Sequence, residues 1–249
     1  MTANVVRNLR LDRIQPLPLM NKYQFTMHKG WNMDLILRLE EAADYRLVEE
    51  ITRDAFWDQH VPGCDEHYLA HMLRTSPDFI PELDFVAFIQ EADKDWQLAG
   101  NIMYTTATIR TPEGDMEGII SFGPLSIAPV HQKKGIGAAL VRHTIDMATR
   151  LNYSAILIYG DPMYYSRFGF VAAERYGIRT KDAYYSPALQ ALELISGSLS
   201  NAAGLFIESE SYLIDSEAAE QFDKQFQPRV KGFKPSQLRF QELLAQSHT

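Results

Sequence analysis

Three things are scarce in this chain of 249 residues, and each scarcity excludes something. A single cysteine, Cys64, leaves no intramolecular disulfide and no four-thiolate zinc site, which fits a reducing compartment. Positive charge is in deficit: 24 Lys plus Arg stand against 32 Asp plus Glu, for a formal charge of -8. Phosphate binding along a duplex needs a concentrated basic face, so nucleic acid is not expected as a partner. Long apolar runs are missing too. No stretch approaches the ~18 apolar residues of a spanning helix, and Arg7, Arg10, Asp12 and Arg13 stand where a signal peptide needs its apolar run. The expectation is a soluble, cytoplasmic protein with no membrane partner. Repeats and low-complexity tracts are absent as well.

What is present reads as one core with two flanks. With 46% hydrophobic and 22% charged residues the chain can bury a full core, and no flexible linker divides it. Residues 1–32, with Pro16 and Pro18, show no sustained period and read as an extension; 33–215 read as the domain, and 216–249 as a C-terminal helical tail. Met33, Leu35, Leu37 and Leu39 alternate with Asp34, Arg38 and Glu40, the pattern of a half-buried first strand. Leu47, Val48, Ile51 and Ala55 predict a helix over 43–56, and Asp65 is placed to cap a second one carrying Leu69, Met72 and Leu73. Strands follow at 83–89, 97–109 and 118–127, separated by polar turns, as an antiparallel meander. Gly135 to Leu151 is a strong amphipathic helix, 155–159 a buried strand, and 162–168 a short helix begun by Pro162 and ended by Gly169. Further strands are expected from Phe170, at 189–194 and at 204–208, and helices at 217–226 and 236–246.

The turn Gln132-Lys133-Lys134-Gly135-Ile136-Gly137 therefore sits between a strand and a helix N-terminus. Free backbone N–H groups converge there, the helix dipole adds positive potential, and glycine permits close approach of a phosphate. It is not the Walker turn, which needs four residues between its glycines and then Gly-Lys-Ser or Gly-Lys-Thr. Nor is it the dinucleotide turn, whose third glycine is replaced by Leu140.

Gln132, Gly135 and Gly137 resemble the Q/R-x-x-G-x-G/A signature of the GCN5-related N-acetyltransferase (GNAT) superfamily, and the element order resembles its fold. Tyr165 to Phe170 are similar to that superfamily's Tyr-x-x-x-Gly-Phe segment. Gly160-Asp161-Pro162 with Tyr164-Tyr165 resembles a bacterial subgroup carrying G-D-P-x-Y-Y-x-R-F-G-F. The resemblance covers 33 to about 213. It implies an α/β (α+β) fold with a mixed, mostly antiparallel sheet splayed between strands 4 and 5 and helices on both faces. It also implies acetyl-CoA as cosubstrate: the backbone of Leu125, Ser126 and Ile127 along the pantetheine arm, Gln132 at the turn, and the amides of Lys133, Lys134, Gly135, Ile136, Gly137 and Ala138 on the pyrophosphate.

The implied chemistry is direct attack of an amine on the thioester in a ternary complex, which needs a base, oxyanion stabilisation and an acid for the thiolate. Tyr165 matches the superfamily's acid, and a phenol of pKa ~10 carries its proton at neutral pH without tuning. Two positions depart from the pattern. Ser121 stands where many members place a glutamate base, and Ile158 where many carry an asparagine. Glu66, Glu82, Asp84, Glu117, Asp161 or a water chain are the remaining routes for the proton. Glu66, His67, Ser121 and Asp161 are the candidates for the acceptor side.

Other residues have plainer readings. His60, His67 and His71 with Cys64, Asp65 and Glu66 lack the spacing of a zinc helix, so no metal is expected. Phe56, Trp57 and Tyr68 read as core or cleft wall, and Ser121, Ser126 and Ser166 lack the G-x-S-x-G elbow of a serine hydrolase. Two rival functions use the same fold: an acyl-CoA-binding module without catalysis, and an interaction protein docking through Phe222, Phe226, Phe233 and Phe240. The acceptor amine and the oligomeric state are left open.

Overall fold

The computed structural model describes residues 23–24, 33–91 and 95–248. The expected extension 1–32 lies outside the described residues except for a two-residue strand, Tyr23–Gln24, paired with the first strand of the domain. The main elements are β1 (Met33–Leu39), α1 (Tyr45–Phe56), α2 (Glu66–Leu73), β2 (Phe85–Glu91), β3 (Gln97–Thr111), β4 (Gly114–Ile127), α3 (Ile136–Arg150), β5 (Ala155–Tyr159) and α4 (Pro162–Tyr165). After them come β6 (Val171–Ala172), β7 (Ile178–Arg179), β8 (Leu189–Glu193), β9 (Gly204–Ile207), α5 (Ser216–Asp223) and α6 (Pro235–Ala245).

β1 to β4 pair antiparallel in sequence order, β4 meets β5 in parallel, and β8 then β6 complete that side. β9 lies against the far half of β3 and carries β7. Alternation along β3 divides the molecule. Ile102 and Tyr104 face α3, where Tyr104 Oη lies 2.8 Å from Thr144 Oγ1, and join Leu35, Leu37, Phe85, Leu140 and Val141 in the main core. Met103 faces the other way, into Leu69, Ala70 and Leu73 of α2, while the far half of that second face is closed by Ile109, Ile119, Leu157, Ile178 and Phe206. Helices thus cover both faces, each seated by the strand period of two. Among the described residues, no helix is long and apolar enough to cross a membrane.

Several expectations shift by a physical cause. The polar turn read over 111–115 is two residues long, Pro112–Glu113. Arg110 and Asp115 still pair across the ladder with their charges 3.5 Å apart, so β4 begins at Gly114, not Gly118. Asp65 stands at the start of α2 but makes no side-chain cap. Its backbone is already helical (φ -116, ψ -6), whereas a capping carboxylate needs the extended region. The strand expected from Phe170 is only Val171–Ala172, and β7 had no signal of its own.

Residues 216–237 pack against α1, α2 and the loop between them. Asp215 caps α5 by accepting from the N–H groups of Glu217 and Ala218, at 2.9 and 3.2 Å. Arg53 donates twice to Asp223 (2.6 and 3.1 Å), Trp57 Nε1 donates to Val230 O, and Gln237 Nε2 donates to Asp58 O. Phe222 and Phe226 close on the His67 ring at 5.6 and 5.0 Å. Those two rings are buried in the chain's own core, which removes them as docking anchors.

Candidate functional site

The parallel pairing of β4 with β5 consists of Ile119↔Ala155 and Ile120↔Ile156. Beyond it β4 runs on beside β3 as far as Ile127, and β5 turns away with β8 to Tyr159, so the two strands open like a V. Their facing edges carry backbone N–H and C=O groups at the height of Leu125 to Ile127. Such an edge takes an extended ligand as an added strand.

A cleft of about 750 Å³ lies along this opening. Leu125 and Ile127 line one wall, and Ala55, Phe56, Gln59 and His60 from the end of α1 line another. Its floor is the turn into α3, with Gln132, Lys133, Gly135, Ile136, Gly137 and Ala138. The turn is shaped by two left-handed residues, Lys133 (φ 59) and Gly135 (φ 80), and Gln132 Nε2 donates to Ile127 O at 3.2 Å, tying it to β4. The first helical bond of α3 is Ala139 N to Gly135 O, so the preceding amides have no acceptor within the helix. A Cβ on Gly137 would stand 3.2 Å from Tyr164 Oη and 3.4 Å from Ile127 Cγ1, so glycine keeps this floor low. Amides, a dipole end and Lys133 together suit a phosphate-bearing ligand.

Tyr165 closes the other side of the cleft. Asp161 caps the one-turn helix α4 by accepting from Met163 N (2.9 Å), and Gly169 (φ 93) ends the following turn, which sets the ring's place. The ring lies directly over Gly160, where a Cβ would collide with it, and between Phe122 and Phe170 at 5.8 and 5.7 Å. Burial, with Tyr164 adding to it, pushes the phenol well above its ordinary pKa. Its proton is therefore present throughout the neutral range.

The remaining candidates are scattered. Ser126 points away from the cleft and donates to Thr52 Oγ1 at 2.9 Å, leaving only its backbone on the open edge. Lys134 reaches back to Glu91 (3.5 Å) and is not among the lining residues. Ser121 is sealed in the sheet, and Asp161 is engaged as a cap with Arg239 3.7 Å away. Glu66 faces His60 Nδ1 at 3.3 Å, outside the cleft lining. Of the alternative bases, Asp84 is pushed upward by burial and by Glu40 in a network with Arg74, far from the opening. The reading missed Gln59, His60, Tyr164 and Arg167, because a loop after α1 and a turn after β5 meet only in three dimensions.

His67 requires a correction, since its neighbours imitate a catalytic triad. Cys64 Sγ is 3.6 Å from its Nδ1 and Asp223 Oδ1 is 3.1 Å from its Nε2. Burial drives the thiol up and the imidazole down, the latter against the pull of Asp223, so both are held neutral. His67 has no exposed surface and cannot line an acceptor site. The thiol is not a nucleophile either, for thiolate is the reactive form. Among the described residues no group of three or more His, Cys, Asp and Glu side chains has the arrangement of a metal site.

No protein-family profile matches the chain. Its sequence is 25% identical over 171 residues to the uncharacterized N-acetyltransferase YhbS of Escherichia coli K12, covering 69% of this chain and 94% of that one. It is 27% identical over 105 residues to the uncharacterized N-acetyltransferase YjhQ of the same strain, covering 37% and 56%. In structure it resembles E. coli YhbS solved with CoA (TM-score 0.60, 21% identity, 75% of this chain and 96% of that one). It also resembles a GNAT family acetyltransferase of Brucella melitensis solved with acetyl-CoA (TM-score 0.55, 22% identity, 72% and 97%). The opened strands, the glycine turn on α3 and these solved structures agree: the chain has the fold of the GNAT family N-acetyltransferases.

Proposed function

We propose that the protein is an N-acetyltransferase that moves the acetyl group of acetyl-CoA to a primary amine by direct attack in a ternary complex. The observation that carries this is the V between β4 and β5, which leads from an open strand edge to the bare amides of α3 and passes under Tyr165. The residues present fit the cosubstrate: the left-handed turn at Gly135 and the low floor at Gly137 leave room for a pyrophosphate at the dipole end. The open edge from Leu125 to Ile127 suits the amides of a pantetheine arm. The GNAT relatives solved with CoA and acetyl-CoA support the same assignment.

In this reading Tyr165 is the acid. Its buried phenol stays protonated at neutral pH and gives that proton to the sulfur as the carbon–sulfur bond breaks. Packing over Gly160 holds the ring so that little reorientation remains at that step. Ser121 is not the base, because a hydroxyl sealed in the sheet neither reaches the opening nor gains a proton there.

Thermal unfolding with and without acetyl-CoA tests the reading. At 100 times its dissociation constant the ligand adds about 2.7 kcal/mol of apparent stability, a readily measured rise in Tm. No rise, together with no thiol release from acetyl-CoA in the presence of amines, overturns it.

A further inference from the structure

A second cavity, of about 530 Å³, opens beyond the V. It is lined by Tyr159 at the end of β5, by Lys181, Asp182 and Tyr184, by Phe206 at the end of β9, and by Glu208, Glu210 and Tyr212. None of its residues belongs to the glycine turn or to the lining of the first cleft.

Two contacts connect the cavities. Tyr159, a wall of the second, is followed by Gly160, on which the Tyr165 ring of the first rests. Tyr212, another wall, donates from its hydroxyl to Gly123 O (3.2 Å) on β4, one residue from Phe122, whose ring packs on Tyr165. The two cavities therefore flank the same opened stretch of β4 and β5.

Glu208 is the distinctive side chain there. It is half-buried between Tyr159, Tyr212 and the 180–184 turn, and no described residue hydrogen-bonds or ion-pairs with its carboxyl. Asp182 and Glu210 add negative charge, and Lys181 is the only cation among the described lining residues. The walls Tyr159, Phe206 and Tyr212 are aromatic, with Tyr159 and Phe206 6.0 Å apart. This is a pocket for an alkyl or aryl body ending in a positive charge.

Building on the acetyltransferase reading, we propose that this cavity receives the acceptor as the ammonium form of a small primary amine, and that the Glu208 carboxylate takes its proton. The neutral amine then attacks the thioester carbonyl, forming the carbon–nitrogen bond. As the intermediate collapses, the carbon–sulfur electron pair leaves on sulfur, which receives the Tyr165 proton. The phenolate recovers a proton from the amide-forming nitrogen, and Glu208 releases its own to solvent. Burial supports the assignment by raising the Glu208 pKa to about 7, with Lys181 pulling it down. A base with that value is about half ionised at pH 7, increasingly so above it, and still basic enough to accept a proton.

The test uses the full chain with acetyl-CoA and three probes: butylamine, 1,4-diaminobutane and phenethylamine. Acetyl-CoA binding is measured separately by calorimetry. At least one probe is expected to release thiol, with kcat/KM for the amine falling as pH drops through about 7. Glu208→Gln should lower that kcat/KM about 100-fold or more and abolish the acid limb, with acetyl-CoA affinity within about twofold of the parent. Lys181→Met should move the limb to higher pH, a shift that a merely structural role for Glu208 would not produce. The inference is overturned if acetyl-CoA binds but no probe reacts, if Glu208→Gln stays within about threefold, or if neither variant moves the limb. Failure of acetyl-CoA to bind instead removes the acetyltransferase reading itself, and this inference with it.

Discussion

Two groups of reactive side chains flank the α1–α2 pair, and they differ in one physical respect. Cys64, His67 and Asp223 have triad-like residue types at triad-like distances, yet α5 seals them: the imidazole has no exposed surface, and burial keeps thiol and imidazole uncharged. Tyr165 and the turn into α3 have ordinary residue types, but they border open volume, and the amides at the turn are unspent on structure. The comparison teaches that residue identity and spacing describe a site only where a substrate has access and where polar groups remain available. In the sealed group those groups hold the fold together, with Asp223 spending its charge on Arg53.

The comparison can be broken from either side. The largest effect is expected at Tyr165→Phe, which keeps the ring on Gly160 and removes only the proton donor. Turnover should fall between about 100- and 10,000-fold with acetyl-CoA affinity retained, as read by steady-state thiol release and calorimetry. Retained turnover would make the ring a mere wall.

An intermediate effect is expected at Gly135→Val. A β-branched residue at φ 80 is strained by about 1–3 kcal/mol, and relief of that strain turns the amides away from the ligand. Acetyl-CoA affinity should fall about 10- to 100-fold; unchanged affinity would mean that the turn only starts a helix.

Asp223→Asn should do the least to turnover, leaving it within about twofold, while lowering unfolding stability by about 1–3 kcal/mol in urea titration, because the buried Arg53 loses its charge partner. Burial alone would raise the Asp223 pKa, but the hydrogen bonds and charge of Arg53 outweigh it and hold the carboxyl below its ordinary value. The pair's stabilisation is thus fully present above the ordinary carboxylate range and is lost as pH falls through the lowered folded value. In the variant that acid-side loss should shrink. A collapse of turnover without loss of stability would return the sealed cluster to the list of catalytic groups.

Much of the fold was legible because its signals are local. The period of two along 33–39 and the amphipathic 136–150 needed no distant partner, and the glycine turn was readable because Gln132, Gly135 and Gly137 are contiguous with the helix they begin. The short helical segment that carries Tyr165 was legible for the same reason, bounded by Pro162 and Gly169. His67 and Ser121 were plausible by type and misleading by position, since α5 and Tyr212 cover them, while Glu66 stays partly exposed beside His60. Glu208 carried no signal at all, being one acidic residue at the end of a short strand. Its environment is assembled from 159, 182, 206 and 212.

By itself, the sequence determined that the chain forms one mixed sheet with a glycine turn at the head of its strongest helix, because backbone periodicity and glycine conformation act over a few residues. Only the tertiary structure decided which reactive groups are open. It parted β4 from β5 after two paired residues, closed α5 over Cys64 and His67, and left Glu208 at the edge of a cavity, because burial and solvation are set by segments far apart in the chain.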